Sequence, residues 1–280
     1  MELFADTSFE DGFTVTGKTT DLPNIGKIVP PNKDDCDPAW RISQWSCDNN
    51  FLDGKIERLS EKSYRVSTAS QVVTVDGSAI TLELKASAEY GSRRRIPMQS
   101  WPHLLLEQAI PDDRSPKMSV IGKLRLCFGA RLLYSEAKME NPDPNLHTGQ
   151  ISMYFTLCDR SDGDYIWFGI PIYDARRAMV LLPSYMAQDG GKASTNKFIY
   201  VPEQSNFVDK PAGSGEWLTY DLDMMPYLRE AYKTARERGY VQGCDFDKMT
   251  FTSMNCGWEM PGTYDCAVTV RDLSLDAVLI

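Results

Sequence analysis

The sequence predicts an all-β protein, an antiparallel β-sandwich of jelly-roll type with one surface helix at about 224–238. Three observations carry that expectation. Many short segments alternate apolar and polar residues with a period of two. One segment alone has sizeable helical periodicity, and no strand–helix–strand rhythm or internal repeat appears. No linker of distinct composition divides the chain, so residues 1–280 are expected to form one sandwich domain.

The clearest pair of strands runs from Thr148 to Arg177. Gln150, Ser152, Tyr154 and Thr156 alternate with Ile151, Met153, Phe155 and Leu157, which gives one polar and one apolar face. The connector Asp159–Asp164 supplies Asp and Gly for a tight reversal. On the return strand the alternation sets Tyr165, Trp167 and Tyr173 on one face and Ile166, Phe168, Ile170 and Ile172 on the other.

Before this hairpin, residues 1–40 read as loop, rich in Pro, Lys and Asp. Strands follow at 40–45, 64–67, 72–76 and 80–86, with Asp76-Gly77 as a turn signal. Another strand spans 101–108, and a long one spans 119–134, where Gly122 and Gly129 suggest bulges or bends. After the hairpin come a Gly190-Gly191 connector and strands at 197–201, 216–223, 246–255 and 264–275. The helix has Asp223 as a cap, Pro226 in its first turn and Gly239 past its end. Leu228, Ala231, Tyr232 and Ala235 make its apolar stripe.

A formal net charge of -9 argues against a general nucleic-acid binder, which carries a basic face. No apolar run approaches the roughly 20 residues that span a bilayer as a helix, and no leader of basic and apolar residues opens the chain. Seven scattered cysteines without a C-x-x-C pair read as reduced, buried side chains, and two histidines make a Cys/His zinc site a poor fit. A cytoplasmic protein is therefore expected, with a secreted form left open if a leader has been trimmed. No metal site and no cofactor are expected, and the oligomeric state is not readable.

Two end segments, SFEDGFTV and WEMPGTYDCAVTVRDLSLDAVLI, carry a family resemblance. The chain resembles bacterial carbohydrate-active jelly rolls, both galactose-binding-like modules and concanavalin-like lectin and glucanase sandwiches. The resemblance covers some forty residues at the two ends. It implies a carbohydrate ligand, held on a concave sheet or by loops at one end. It also implies a structural calcium option near the termini, with Glu10, Asp11 and Asp272 as oxygen donors. The resemblance does not extend to jelly-roll alginate lyases, because Ser152 follows Gln150-Ile151 where that family has histidine, and Arg93–Arg95 lacks a Glu-Leu context.

His103, Leu105 and Glu107 share one strand face at about 7 Å spacing, so His103 and Glu107 with Tyr154 form a candidate proton-transfer set. Candidate ligand contacts are Gln150, Trp167, Tyr173, Asp174 and Arg176 on the hairpin. Arg94 in the basic run and Trp258 and Glu259 in a Gly- and Pro-shaped loop join them. Each has a plainer alternative: a hydrogen-bonded structural histidine, a charged loop tip, an Asp174–Arg176 pair, a core tryptophan.

Three functional classes remain in play. The first is a carbohydrate-binding sandwich with its site on the Gln150–Tyr173 hairpin. The second is a glycoside hydrolase or polysaccharide lyase on the same face, which requires converging ionisable groups. The third is an assembly protein, which would show a flat apolar patch.

Overall fold

The computed structural model describes residues 1–20, 23–91, 93–190 and 195–280; Gly191 of the expected connector lies outside them. Along the chain run β1 (Phe13–Thr16), β2 (Asn24–Ile28), β3 (Trp40–Ser43), β4 (Lys55–Arg58), β5 (Ser63–Ser67), β6 (Gln71–Asp76) and β7 (Ala79–Lys85). The short α1 (Ser87–Tyr90), β8 (His103–Ala109), β9 (Ile121–Ala137), β10 (Gln150–Cys158) and β11 (Tyr165–Asp174) follow. Then come β12 (Tyr185–Gln188), β13 (Phe198–Val201), β14 (Leu218–Asp223), α2 (Met225–Glu237), β15 (Thr250–Glu259) and β16 (Tyr264–Leu279).

The strands form two sheets, as the alternation requires. One has nine strands in the order β12-β13-β11-β10-β15-β8-β3-β1-β2, and the other has seven in the order β14-β9-β16-β7-β6-β5-β4. Pairing is antiparallel except for β1 with β3 and β11 with β13. The expected strands are present, with four additions: β1 and β2 in the stretch read as loop, and the four-residue β4 and β12. Each is too short to display a period.

Inward residues of both sheets make one core. Ile151, Met153, Phe155 and Leu157 of β10 are fully buried, as are Ile80, Leu82 and Leu84 of β7 in the facing sheet. The N-terminal segment fills one flank: the rings of Phe4 and Phe9 lie 5.6 and 5.3 Å from Trp40, and the Trp40 indole N–H donates to the Asp6 carbonyl at 2.7 Å. Leu3 N–H donates to the Leu275 carbonyl at 2.9 Å, which brings the opening and closing segments together.

Helix α2 forms where its apolar spacing places it. Asp223 Oδ1 accepts from the Met225 amide at 3.1 Å, Pro226 sits in the first turn, and Gly239 takes φ +87° just past the end. Met225, Leu228, Ala231 and Ala235 are buried, and the helix packs against β11 beside the edge strand β14.

Gly129 faces a bulge rather than forming one. The irregularity lies in β16 between Arg271 and Ser274, where Asp272 adopts φ +54°. The calcium option is not realised by the geometry. Among the described residues no group of three or more acidic, histidine or cysteine side chains gathers to hold an ion. Asp11 instead pairs with Lys33, and Asp272 accepts the Ser78 hydroxyl at 2.6 Å.

Trp258 belongs to the core. It is 0% exposed, its ring meets Tyr173 edge-on at 6.2 Å, and its indole N–H crosses the sandwich to the Leu82 carbonyl at 2.9 Å. Trp258→Ala is expected to cost about 3–5 kcal/mol of stability, and Trp258→Phe about 0.5–1.5 kcal/mol for the lost indole hydrogen bond. Urea denaturation of both variants checks the order.

Candidate functional site

The outward face of the nine-stranded sheet is where polar chemistry collects, because the inward positions of β8, β15 and β10 are apolar apart from Gln108, whose amide is taken up by the Ala5 backbone. Register sorts its side chains into rows across the strands. His103, Glu259, Gln150 and Asp174 form the first row, on β8, β15, β10 and β11. Leu105, Gly257, Ser152 and Pro171 form the second, and Glu107, Asn255, Tyr154 and Gly169 the third. Consecutive rows lie about 7 Å apart, two residues along a strand. On β15 and β10 the middle row is the shortest, with Gly257 and Ser152 between Glu259 and Gln150 on one side and Asn255 and Tyr154 on the other.

Two glycines are required by close approach. A Cβ on Gly257 would lie 2.1 Å from the Leu104 carbonyl oxygen on β8. A Cβ on Gly169 would lie 2.6 Å from the Tyr154 ring and 2.8 Å from Val201, so that glycine is the bed on which Tyr154 rests. Trp167 meets Tyr154 edge-on at 6.4 Å and Tyr165 at 5.6 Å, while its indole N–H donates to Thr195 Oγ1 at 3.1 Å. Burial, with the Glu259 charge second, pushes the Tyr154 hydroxyl well above its usual range and keeps it protonated.

In the first row, Gln150 Nε2 donates to Glu259 Oε2 at 3.0 Å, and Arg176 Nη2 reaches Gln150 Oε1 at 3.5 Å. Asp174 accepts from Arg176 Nε at 2.9 Å, from the Arg176 backbone N–H at 2.9 Å and from Thr148 Oγ1 at 2.7 Å. Desolvation opposes ionisation of Asp174, but the Arg176 and Thr148 bonds outweigh it and hold the carboxyl below its ordinary value. At the other end His103 stacks on Trp101 at 6.0 Å and meets Trp45 edge-on at 5.6 Å. His103 Nδ1 and Trp101 Nε1 are buried without a hydrogen-bond partner among the described residues.

Gln150, Tyr154 and Trp167 lie on this face, where the hairpin alternation put them, and register adds His103 and Glu107 from β8, Asp174 from the hairpin's end and Glu259, which the sequence reading set in a loop. The proposed set of His103, Glu107 and Tyr154 does not converge. His103 and Glu107 are four residues apart on one strand, about 13 Å, and Tyr154 is two strands from Glu107. Glu107 is 6% exposed, paired with Arg41 at 2.6 Å and hydrogen-bonded by the Ser43 hydroxyl, so it is locked rather than poised.

Three ligand contacts are displaced. Tyr173 is buried because β11 bulges opposite Ile151 and Ser152: Tyr173 pairs with Ile151 and Pro171 with Ser152, so Ile172 and Tyr173 both turn inward. Pro171, which has no N–H for the ladder, was the available signal. Trp258 faces the core, and the segment read as a loop continues as β15 to Glu259. Arg94 is exposed and donates to the Asn141 carbonyl at 2.7 Å; its neighbour Arg95 is the buried one, bonded to the carbonyls of Pro261, Gln99 and Leu146. Asn255, Ser152 and Arg41 were missed, although stepping back by twos from Glu259 would have found Asn255.

No family model and no curated protein sequence matches the chain. Among solved structures it is similar to a thermostable cellulase derived from Cel12A of Rhodothermus marinus, at 13% identity and TM-score 0.41, over 81% of this chain and 97% of that one. It is also similar to the family 11 xylanase of Neocallimastix patriciarum, at 10% identity and TM-score 0.43, over 80% and 95%. A third is the xyloglucanase domain of NopAA from Sinorhizobium fredii, in complex with cellobiose, at 10% identity and TM-score 0.42, over 82% and 98%. At these scores the likeness says nothing about what this chain binds.

The depressed Asp174 carboxyl has a consequence for acid stability. Its contribution is full above the unfolded-state value near pH 4 and is lost as pH falls through the lower folded-state value. Asp174→Asn is therefore expected to lower stability by a constant amount above about pH 5 and to approach wild type as pH falls through the lowered folded-state value. Urea midpoints across that range check it.

Proposed function

We propose that the protein acts on a neutral oligosaccharide laid across the strands of the nine-stranded sheet, with Glu259 as proton donor to the glycosidic oxygen and Asp174 as the ionised partner. The observation that carries this reading is the first row: two carboxylates on one face, one on either side of Gln150. They are separated by two strand spacings, about 9.5 Å at the backbone, at the upper end of the roughly 6.5–9.5 Å used by inverting glycosidases.

The two carboxylates have different partners. Arg176 holds Asp174 ionised, whereas the hydrogen-bond donor to Glu259 is a neutral amide. The cations on this face, Arg41 and Arg176, are already matched by Glu107 and Asp174, which favours a neutral sugar over a uronate. Ser152, Asn255 and the Tyr154 hydroxyl suit sugar hydroxyls, and Trp167 and Trp101 offer rings to their C–H faces.

Binding without turnover is the second reading. It is favoured by the number of donors on Asp174, which leave few lone pairs for a water. A panel of soluble neutral glycans separates the two by reducing-end release and affinity electrophoresis. Hydrolysis with an inverted anomer by proton NMR is expected. Glu259→Gln is expected to slow it by about 10²–10⁴-fold with affinity kept. Binding without release would establish the second reading, and no binding at all would sink both.

A further inference from the structure

We propose that Gln150 is the residue that sets the chemistry of this face: it occupies the position from which a carboxylate would form a retaining pair with Glu259, and its amide withholds that step. The inference rests on the reading of Glu259 as the proton donor and deepens it.

The register carries it. Gln150 and Glu259 are direct partners across β10 and β15 and point to the same face, with Nε2 and Oε2 at 3.0 Å. Directly opposed residues of an antiparallel pair have Cβ atoms about 4.5–5.5 Å apart, and retaining glycosidases hold their two carboxyl groups about 5–5.5 Å apart. With its Cβ this close, a carboxylate at position 150 reaches that separation by opening from the present 3.0 Å contact, whereas Asp174 is one strand further away. The other direct neighbour of Glu259 is His103, so neither flanking position carries a carboxylate.

The surroundings of position 150 already suit an anion. Arg176 Nη2 stands 3.5 Å from the amide oxygen, where it would meet a carboxylate oxygen of the same shape. An anion held there would in turn oppose ionisation of Glu259, since two carboxylates this close do not both stay charged. The result is one ionised nucleophile and one protonated acid. What the wild-type chain has is the same geometry with a neutral, non-nucleophilic amide, which orients the Glu259 carboxylate by donating to it.

In Gln150→Glu the carboxylate oxygen attacks the anomeric carbon and forms an ester bond. The glycosidic C–O bond breaks, and its oxygen takes the proton of Glu259. Water then attacks the same carbon, Glu259 recovers a proton from it, and the ester C–O bond breaks to leave the sugar with its original configuration.

The test uses the full chain as wild type, Gln150→Glu and Gln150→Ala, with glycan affinity measured for each. Gln150→Glu incubated with dinitrophenyl 2-deoxy-2-fluoroglycosides is expected to gain one fluoroglycosyl mass on residue 150, and its natural product should keep the anomeric configuration. Gln150→Ala with added azide is expected to yield a glycosyl azide, since azide fills the vacated position; this arm stands even if the charged variant fails to fold. Wild type should give neither product. Unchanged binding by the variants with neither adduct nor glycosyl azide overturns the role of Gln150 while leaving the glycan reading intact. Loss of all binding, in wild type too, overturns both.

Discussion

The bond from the Trp258 indole to the Leu82 carbonyl is the constraint on which the outward face depends. Side chains on a strand alternate, so fixing one residue inward fixes the phase of its neighbours. With Trp258 buried between the sheets, Glu259, Gly257 and Asn255 have one direction open to them, away from the core. A one-residue slip would expel the indole, strand its N–H and bury a carboxylate, three penalties that act together. The core therefore aims the candidate acid.

The face that results is organised by size as well as charge. Gly257 and Gly169 stand where strand or ring contact leaves no room for a Cβ, and the space they free is filled by Leu104 backbone and by the Tyr154 ring. Charges on this face are mostly paired: Glu107 with Arg41, Asp174 with Arg176. Glu259 differs in taking its hydrogen bond from an amide. A face whose ions are internally satisfied has little long-range pull on charged molecules and favours shape, hydroxyls and ring stacking.

Much of this was legible in the sequence, and the failures have physical causes. Period-two alternation located β7, β10 and β11 and their inward faces, because each strand has one wet side. Alternation also put His103 and Glu107 among the candidates, but it carries no register, so it gave no sign that His103 is opposite Glu259 while Tyr154 lies two strands from Glu107. Tyr173 was assigned to the wrong face because the alternation was extended through Pro171, where the bulge resets it. Trp258 was read as a rim residue because Gly257 and Pro261 look like loop residues; Gly257 is instead a strand position pressed against β8. The strands β1, β2, β4 and β12 are four or five residues long and lie at or near sheet edges, where polar residues are tolerated on both faces.

The place of β16 has a bearing on how the molecule is made. It lies in the interior of the seven-stranded sheet, between β9 and β7, yet it is synthesised after both. The segment Met1–Leu3, far earlier in the chain, also hydrogen-bonds to it at Leu275 and Ala277. During synthesis β7 and β9 each present an unpaired edge until that strand leaves the ribosome, a period in which both can recruit the wrong chain. Closure of this sheet therefore waits on β16, and the slow, non-local pairing expected of such topologies falls on that strand.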